Sequence, residues 1–312
     1  MHNATMRQLR VFAAAAHHLS FAKTARELHL TPPAVSIQIA QLERHAGTQL
    51  FERLGRRLFL TQAGQAVLRE VEAILSHVRQ AEDSLGALHG VRGGLLNIGV
   101  ISAGDYFFPS LLGEFCRRHE GVKLKLAVSN REDLIERIGR NAIDLAVMGR
   151  PPEHGDLYAA AFAPHPMVIV AAPTHPLAQK RALPLAAAAR EPLIAREAGS
   201  ATRAVMDETF RKHRIRPNIA MEVASNETIK QAVRAGFGLG FLSAHAIGLE
   251  VSVRVLAIVD IAGFPVQRQW FIVHRRGKML PPVAAACAAF LAQEGAQQIR
   301  RTVPRELRAM WS

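Results

Sequence analysis

The chain has 312 residues, with 39 Lys and Arg against 26 Asp and Glu, for a formal net charge of +13. That length leaves room for about two or three domains, and the charge calls for a polyanionic partner, nucleic acid or an anionic membrane surface. Apolar residues make up 49% and charged residues 21%, with no apolar run of membrane-spanning length and no apolar core near the N-terminus, so a globular protein of the cytoplasm is expected, without a membrane partner.

Met6 to Ala16 predicts a first helix with Leu9, Phe12 and Ala16 on one side. The stretch that follows, "LSFAKTARELHLTPPAVSIQIAQLE" (Leu19 to Glu43), predicts two short helices joined by a tight turn. Phe21, Ala22, Ala25 and Leu28 recur at helical steps behind a capping Ser20. Pro32 and Pro33 donate no backbone hydrogen bond, which costs little only in a first turn, so a second helix starts near Thr31 and runs to about His45, before Gly47. Val35, Ile39 and Leu42 form its inward face. Thr31, Pro33, Ser36, Ile37, Gln38 and Gln41 lie at its start and on the other face and flanks, beside Ala40 and Arg44. Small, polar and basic groups on a helix that turns apolar Ile37 away from its core fit the recognition helix of a helix-turn-helix. The plainer alternative is a surface helix pair.

"LFERLGRRLFLT" (Leu50 to Thr61) reads as a β-hairpin around Gly55 with Arg53, Arg56 and Arg57 near its tip, where the backbone of double-stranded DNA would lie. Thr61 then caps a long helix in which Val67, Val71, Ile74, Val78, Ala81, Leu85 and Leu88 keep a heptad spacing as far as Gly90. Such a seam needs a partner, either a second copy of the helix or another part of the same chain.

From Leu95 onward, strand-like runs alternate with helical ones: "LLNIGV", "VKLKLAV", "IDLAVMG", "MVIVAA", "PLIAR", "IAMEVA", "GLGFLS", "VRVLAI" and "QWFIVHR", with helices at about 109–119, 132–140, 202–212 and 227–235. This predicts a mostly parallel α/β architecture long enough for two lobes, with "MGRPPEHG" and "FAPHP" as breaks between them. Open α/β sheets bind ligands beyond the carboxyl ends of strands, near helix N-termini that favour anions. Ser102 follows the first strand. Gly199, Ser200, Thr202 and Arg203 sit in "REAGSATR", and Asn226 and Thr228 open the helix of "SNETIK". With the cations Arg196 and Lys230 nearby, these suggest a small acidic ligand, although each position is also an ordinary helix cap.

Catalysis has no anchor here. The 14 histidines are dispersed, neither HExxH nor GxSxG occurs, and Cys116 and Cys287 lack CxxC spacing, so neither a metal site nor a cofactor is expected.

Together these elements resemble the LysR-type transcriptional regulators over essentially the whole chain, most specifically in "RQLRVFAAAAHHLSFAKTARELHLTPPAVSIQIAQLE…LFERLGRRLFLTQAG". Within that family "SNREDLIERIGRNAIDLAVMGRPPE", "APHPMVIVAAPTHPLA", "REAGSATR" and "SNETIKQAVRAGFGLGFLSAHAIGLE" resemble the CbbR-type regulators of Calvin-cycle (RuBisCO) operons. The resemblance implies a winged helix-turn-helix over 1–62, a dimerising linker helix over 63–90 and a two-lobed effector domain over 91–312. Lobe I would span about 93–163 and 269–300, and lobe II about 164–268. It implies a sugar phosphate such as ribulose bisphosphate between the lobes, with Asn130 and Arg150 joining the contacts above, and a homotetramer that bends promoter DNA and alters contacts with RNA polymerase. Two departures from the family pattern stand out: Pro32 replaces a usual Gln, and Ala198 and Ala201 replace a usual Pro and Gly. A regulator answering another anionic or aromatic effector is the near alternative, and a solute-binding receptor the distant one.

Overall fold

The computed structural model describes residues 4–55, 57–87, 93–152 and 155–311; Arg56, Leu88, Gly90 and the side chain of Leu85, all invoked above, lie outside the described residues. Two compact units make up the chain, one formed by Met1–Leu85 with Arg140–Ala142 and one by Gly86–Gly139 and Ile143–Ser312.

The first unit begins with α1 (Met6–His18), whose start is closed by a reciprocal cap: Thr5 Oγ1 accepts from Gln8 N–H and Gln8 Oε1 accepts from Thr5 N–H. Ser20 caps α2 (Phe21–Glu27). The prolines open α3 (Pro32–Ala46), where Thr31 Oγ1 accepts from Ala34 N–H at 3.3 Å, and Gly47 ends it in the left-handed region at φ +69°. Strands β1 (Phe51–Leu54) and β2 (Arg57–Leu60) pair antiparallel, Leu54 opposite Arg57, through Gly55 at φ +64°. Phe12, Val35, Leu42 and Leu50 are fully buried together. Each such side chain contributes about 1.5–3 kcal/mol.

The long helix α4 (Gln62–Ala87) starts at Thr61, whose Oγ1 accepts from Gly64 N–H at 2.9 Å. Its heptad seam is divided. Val71 is fully buried in the first unit's own core, with Val67, Leu68 and Leu75 packed against it. Ile74 and Ala81, by contrast, stay exposed. The early heptad positions therefore already have a partner in their own chain.

The second unit contains, among the described residues, a nine-stranded sheet in which strands 122–129, 94–101, 145–148, 266–275, 157–171, 239–243, 193–196 and 219–223 lie side by side in that order, with 257–258 beside 157–171. In chain order the first lobe supplies β3 (Gly94–Ile101), α5 (Phe108–Arg118), β4 (Val122–Ser129), α6 (Arg131–Gly139) and β5 (Leu145–Met148). The long β6 (Leu157–Ala171) leads into α7 (Leu185–Arg190), β7 (Leu193–Arg196), α8 (Ala201–Lys212), β8 (Ile219–Val223), α9 (Asn226–Arg234), β9 (Leu239–Ser243), α10 (Gly248–Ser252) and β10 (Ala257–Ile258). The chain returns through β11 (Val266–Arg275) to α11 (Pro282–Thr302) and a final 3-10 turn, Arg305–Trp311. Pairing is parallel within β4-β3-β5 and within β8-β7-β9, and antiparallel where β6 and β11 run side by side. Those two strands join the halves.

Three sequence expectations fail here. The sheet is not mostly parallel: β6 and β11 pair antiparallel with each other, and also with β9 and β5 respectively, because the long strands that join the halves run against them. "FAPHP" is no break: Phe162 to Pro166 lie inside β6, with Pro164 opposite Gln269 and Pro166 opposite Gln267. Strand β9 joins β6 only from Met167 onward, so the missing N–H groups cost no bond on that side. The run "VRVLAI" forms a strand only at Ala257 and Ile258, because Arg254 turns the chain at φ +58°. "MGRPPEHG" does fall between β5 and β6, with Glu153 and His154 outside the described residues.

Candidate nucleic-acid interface and effector cleft

In the first unit, α3 and its cap present Thr31, Pro33, Ser36, Ile37, Ala40 and Arg44 to solvent, and Ile37 is 55% exposed although Val35, Ile39 and Leu42 of the same helix are buried. An apolar side chain held out on a helix start with small neighbours is shaped for a groove and the thymine methyl within it. Gln38 is half-buried. Gln41 is also half-buried, and its Oε1 accepts from Gln8 Nε2 at 3.1 Å, so α1 fixes its orientation at the flank of the face. The hairpin is tied to the same helix: Glu43 Oε1 accepts from the N–H groups of Leu50 (2.8 Å) and Phe51 (3.1 Å). These two bonds set the wing against α3. Arg53 and Arg57 are exposed on the hairpin, with the Arg53 guanidinium 5.6 Å from the Phe21 ring.

In the second unit, the sheet gathers most of the nominated effector residues at strand ends. Arg196, the last residue of β7, which the sequence offers only as a nearby cation, is buried. Its Nε and Nη2 bind both carboxylate oxygens of Glu197 at 2.7 and 2.9 Å, while Nη1 donates to Ser102 Oγ at 3.1 Å and Asn226 Oδ1 at 2.7 Å. Ser102, Arg196, Ser200, Thr202 and Asn130 line a cavity of about 10 Å³, room for about one water. Asn130 Oδ1 also accepts from Asp133 N–H at the start of α6. Beside it opens a cavity of about 630 Å³, sharing Arg131 and Ser200 and adding Arg150, Gly199 and Arg203. Gly199 stands at φ +85°, where a Cβ would press to 3.1 Å from Glu132 Oε1, so glycine suits the turn that aims Ser200 and α8.

Charge in the larger cavity is mixed. Burial, reinforced by neighbouring Arg150, pushes the Arg131 guanidinium below its ordinary value, a strain that an anion between them would relieve. Arg150 itself lies 3.7 Å from Glu208. Arg203 differs from the expectation of a cation waiting for ligand: it pairs with Glu222 at 2.7 Å and Asp207 at 3.1 Å, and also donates to the Arg196 carbonyl. Its Nε and Nη1 are engaged by carboxylates one helical turn away and on β8, and by that carbonyl. Thr228 also falls short: it is exposed on α9 and lines neither cavity, its N–H bound by the capping Ser225.

No group of three His, Cys, Asp or Glu among the described residues is placed to hold a metal, and no helix there is long and apolar enough to cross a membrane. Burial pushes the Cys287 thiol up to about 12 and raises Cys116 as well, so neither is a thiolate at neutral pH.

A winged helix-turn-helix in one unit and a two-lobed α/β unit with an anion-suited cleft in the other define a ligand-responsive DNA-binding regulator. The chain belongs to the LysR family of bacterial transcriptional regulators. Residues 6–65 match the model described as "Bacterial regulatory helix-turn-helix protein, lysR family", and residues 89–296 match that of the "LysR substrate binding domain". It is 45% identical to the RuBisCO operon transcriptional regulator of Allochromatium vinosum, over 94% of this chain and 97% of that one. It is 48% identical to the HTH-type transcriptional regulator CbbR of Rhodospirillum rubrum, over 92% and 95%. Among solved structures it is similar to the regulatory domain of Synechocystis PCC6803 CcmR in complex with 2-PG, at 36% identity and a TM-score of 0.61, covering 64% of this chain and 96% of that one. Full-length CbnR bound to its target DNA shares the fold, at 23% identity and a TM-score of 0.69, over 92% of this chain and 98% of that one. The protein is a transcriptional regulator and not an enzyme.

Proposed function

We propose that this regulator controls carbon-fixation operons, those of RuBisCO and the Calvin cycle, in response to a small phosphorylated metabolite held between its lobes. The observation that carries the reading is the 45% identity, along almost the full length of both chains, to a regulator named for the RuBisCO operon. The larger cavity has room for a small phosphorylated ligand, with a phosphate toward Arg131 and Arg150 and the other end toward Ser200, beside the one-water cavity at Ser102 and Thr202. Ribulose bisphosphate and 2-phosphoglycolate both meet that description. The relative bound to 2-PG supports the second.

On DNA, Ser36, Ile37 and Gln38 read base edges, with Thr31, Pro33 and Gln41 at the margins, while Arg53, Arg56 and Arg57 hold phosphate. Two copies pair through the exposed part of the α4 seam, and two such dimers form the tetramer that meets promoter DNA and RNA polymerase. The test is fluorescence anisotropy of the full chain on a RuBisCO-operon promoter fragment, combined with a thermal melt in which ribulose bisphosphate and 2-phosphoglycolate are titrated against equal phosphate and sulfate. Ligand at about 100 times its dissociation constant adds roughly 2.7 kcal/mol, which moves the midpoint by a few degrees. A saturable shift with either organic phosphate alone, together with promoter-selective binding, upholds the reading. Equal shifts with the inorganic salts remove the effector assignment, and equal affinity for unrelated DNA removes the operon assignment.

A further inference from the structure

A second cavity of about 520 Å³ lies within the effector unit, between the turn after β3, the start of α9, α10 and the end of α11. In its wall the Lys230 ammonium, almost wholly buried, is held by Glu227 at 2.6 Å and Glu250 at 2.7 Å, with the Tyr106 ring 4.8 Å away. Two carboxylates against one ammonium leave one negative charge in excess. Burial raises the Glu227 carboxyl, but bonds from Lys230 and from Tyr106 Oη (2.8 Å) outweigh it and hold Glu227 below its ordinary value.

The hydrogen-bond capacity of the lining points the same way. Its hydroxyl donors are committed: Tyr106 to Glu227, Ser252 to the Gly248 carbonyl at 2.8 Å and Thr302 to the Ile299 carbonyl at 2.8 Å. What these groups offer a visitor is acceptor oxygen, on both carboxylates and on the Ser252 and Thr302 hydroxyls. Phe107, Leu249, Val303 and Pro304 supply apolar wall for a short hydrocarbon body.

We propose that this cavity is a second ligand site, selective for a small organic amine in its ammonium form, and separate from the anion cleft. A phosphate would meet net negative charge and acceptors there, so the two sites discriminate by opposite chemistry. The sites adjoin through consecutive residues: Asn226 bonds Arg196 in the anion cleft, and Glu227 bonds Tyr106 here.

The test uses the full chain and isothermal titration with butylammonium chloride, against 1-butanol and sodium chloride as controls, repeated on Glu250→Gln and Thr302→Trp. The first variant removes the excess charge while Lys230 keeps Glu227. The second fills the cavity from an exposed position. Saturable binding of the ammonium but of neither control, weakened about tenfold or more in each variant, is the expected result. Binding of butanol equal to that of the ammonium, absence of saturable binding, or wild-type affinity in either variant overturns the proposal.

Discussion

Arg196 donates its Nη1 to Asn226 Oδ1 at 2.7 Å, and both side chains are buried. The bond joins the end of β7 to the first turn of α9, and the same nitrogen reaches Ser102 at the end of β3. A single guanidinium thus ties the first lobe to two elements of the second. Lysine cannot reproduce that fork, because a point ammonium lacks the fixed multi-donor geometry. Arg196→Lys should lower stability by about 2–4 kcal/mol, since breaking a buried pair leaves Glu197 and Asn226 short of partners. It should also abolish the melt response to organic phosphates while DNA binding by the separate first unit survives. A variant as stable and as responsive as the parent would show that the fork positions nothing.

Ile37 and Arg57 should separate sequence readout from backbone grip. Ile37→Ala removes only exposed apolar surface, so the melt stays within about 0.5 kcal/mol of the parent. Affinity for the cognate promoter should nonetheless fall by about 1–3 kcal/mol, with non-specific affinity unchanged. Arg57→Ala should weaken binding to every duplex and reduce the salt slope by about one. Anisotropy titrations at several salt concentrations on cognate and scrambled duplexes read both. Equal losses on both duplexes for Ile37→Ala would place it outside the groove.

These roles were legible in sequence to unequal depth, for physical reasons. The caps at Ser20 and Thr31, the double proline and Gly47 are local signals, and the helices they bound are where the spacing put them. The strand at Leu157 to Ala163 was not legible. Its alanines favour helix, and only pairing along β11 makes them extended. The candidate cleft divides in the same way. Ser102, Ser200, Thr202 and Asn226 follow from helix starts after strands, but the central role of Arg196 depends on contacts to residues 94 and 30 positions away. Arg203 looked available because Glu222, its partner on β8, is remote in sequence.

The divided seam of α4 gives a cleaner way to test dimerisation. Val71 is buried within its own unit, so changing it would unfold that unit whatever the oligomeric state. Ile74 is 41% exposed and is the position to use. Ile74→Asp should leave the melt of the DNA-binding unit nearly unchanged yet place like charges across any two-fold seam. Sedimentation should then show smaller species than the parent, and affinity for a two-half-site promoter should fall. An unaltered sedimentation profile would move the interface away from this helix.

The buried histidines set an acid limit on the effector unit. Trp270 Nε1 donates to His245 Nε2 at 3.0 Å, and His165 stacks on the Trp270 ring at 3.9 Å between centroids. Burial pushes His245 down to about 3, and burial, with His245 and Arg268 nearby, holds His165 well below its ordinary 6.5. With both folded values depressed, their stabilising effect is complete above about pH 6.5. Below it the unfolded chain takes up protons that the folded chain refuses. Stability is therefore lost as pH falls, by about 1.4 kcal/mol per pH unit for each histidine. Among the described residues, neither ring nitrogen of His165 has a hydrogen-bond partner. His165→Phe keeps a ring against Trp270 and removes both buried polar atoms, so it should stabilise by about 1–3 kcal/mol at pH 7. The gain should widen as the solution is acidified to pH 5, because one of the two protonation penalties is gone. Urea titrations at pH 7, 6 and 5, followed by tryptophan emission, measure this. Curves that stay parallel would show that His165 is neutralised by some other group, and a destabilised variant at pH 7 would show that the imidazole's fit against Trp270 and Gly149 outweighs its unpaired nitrogens.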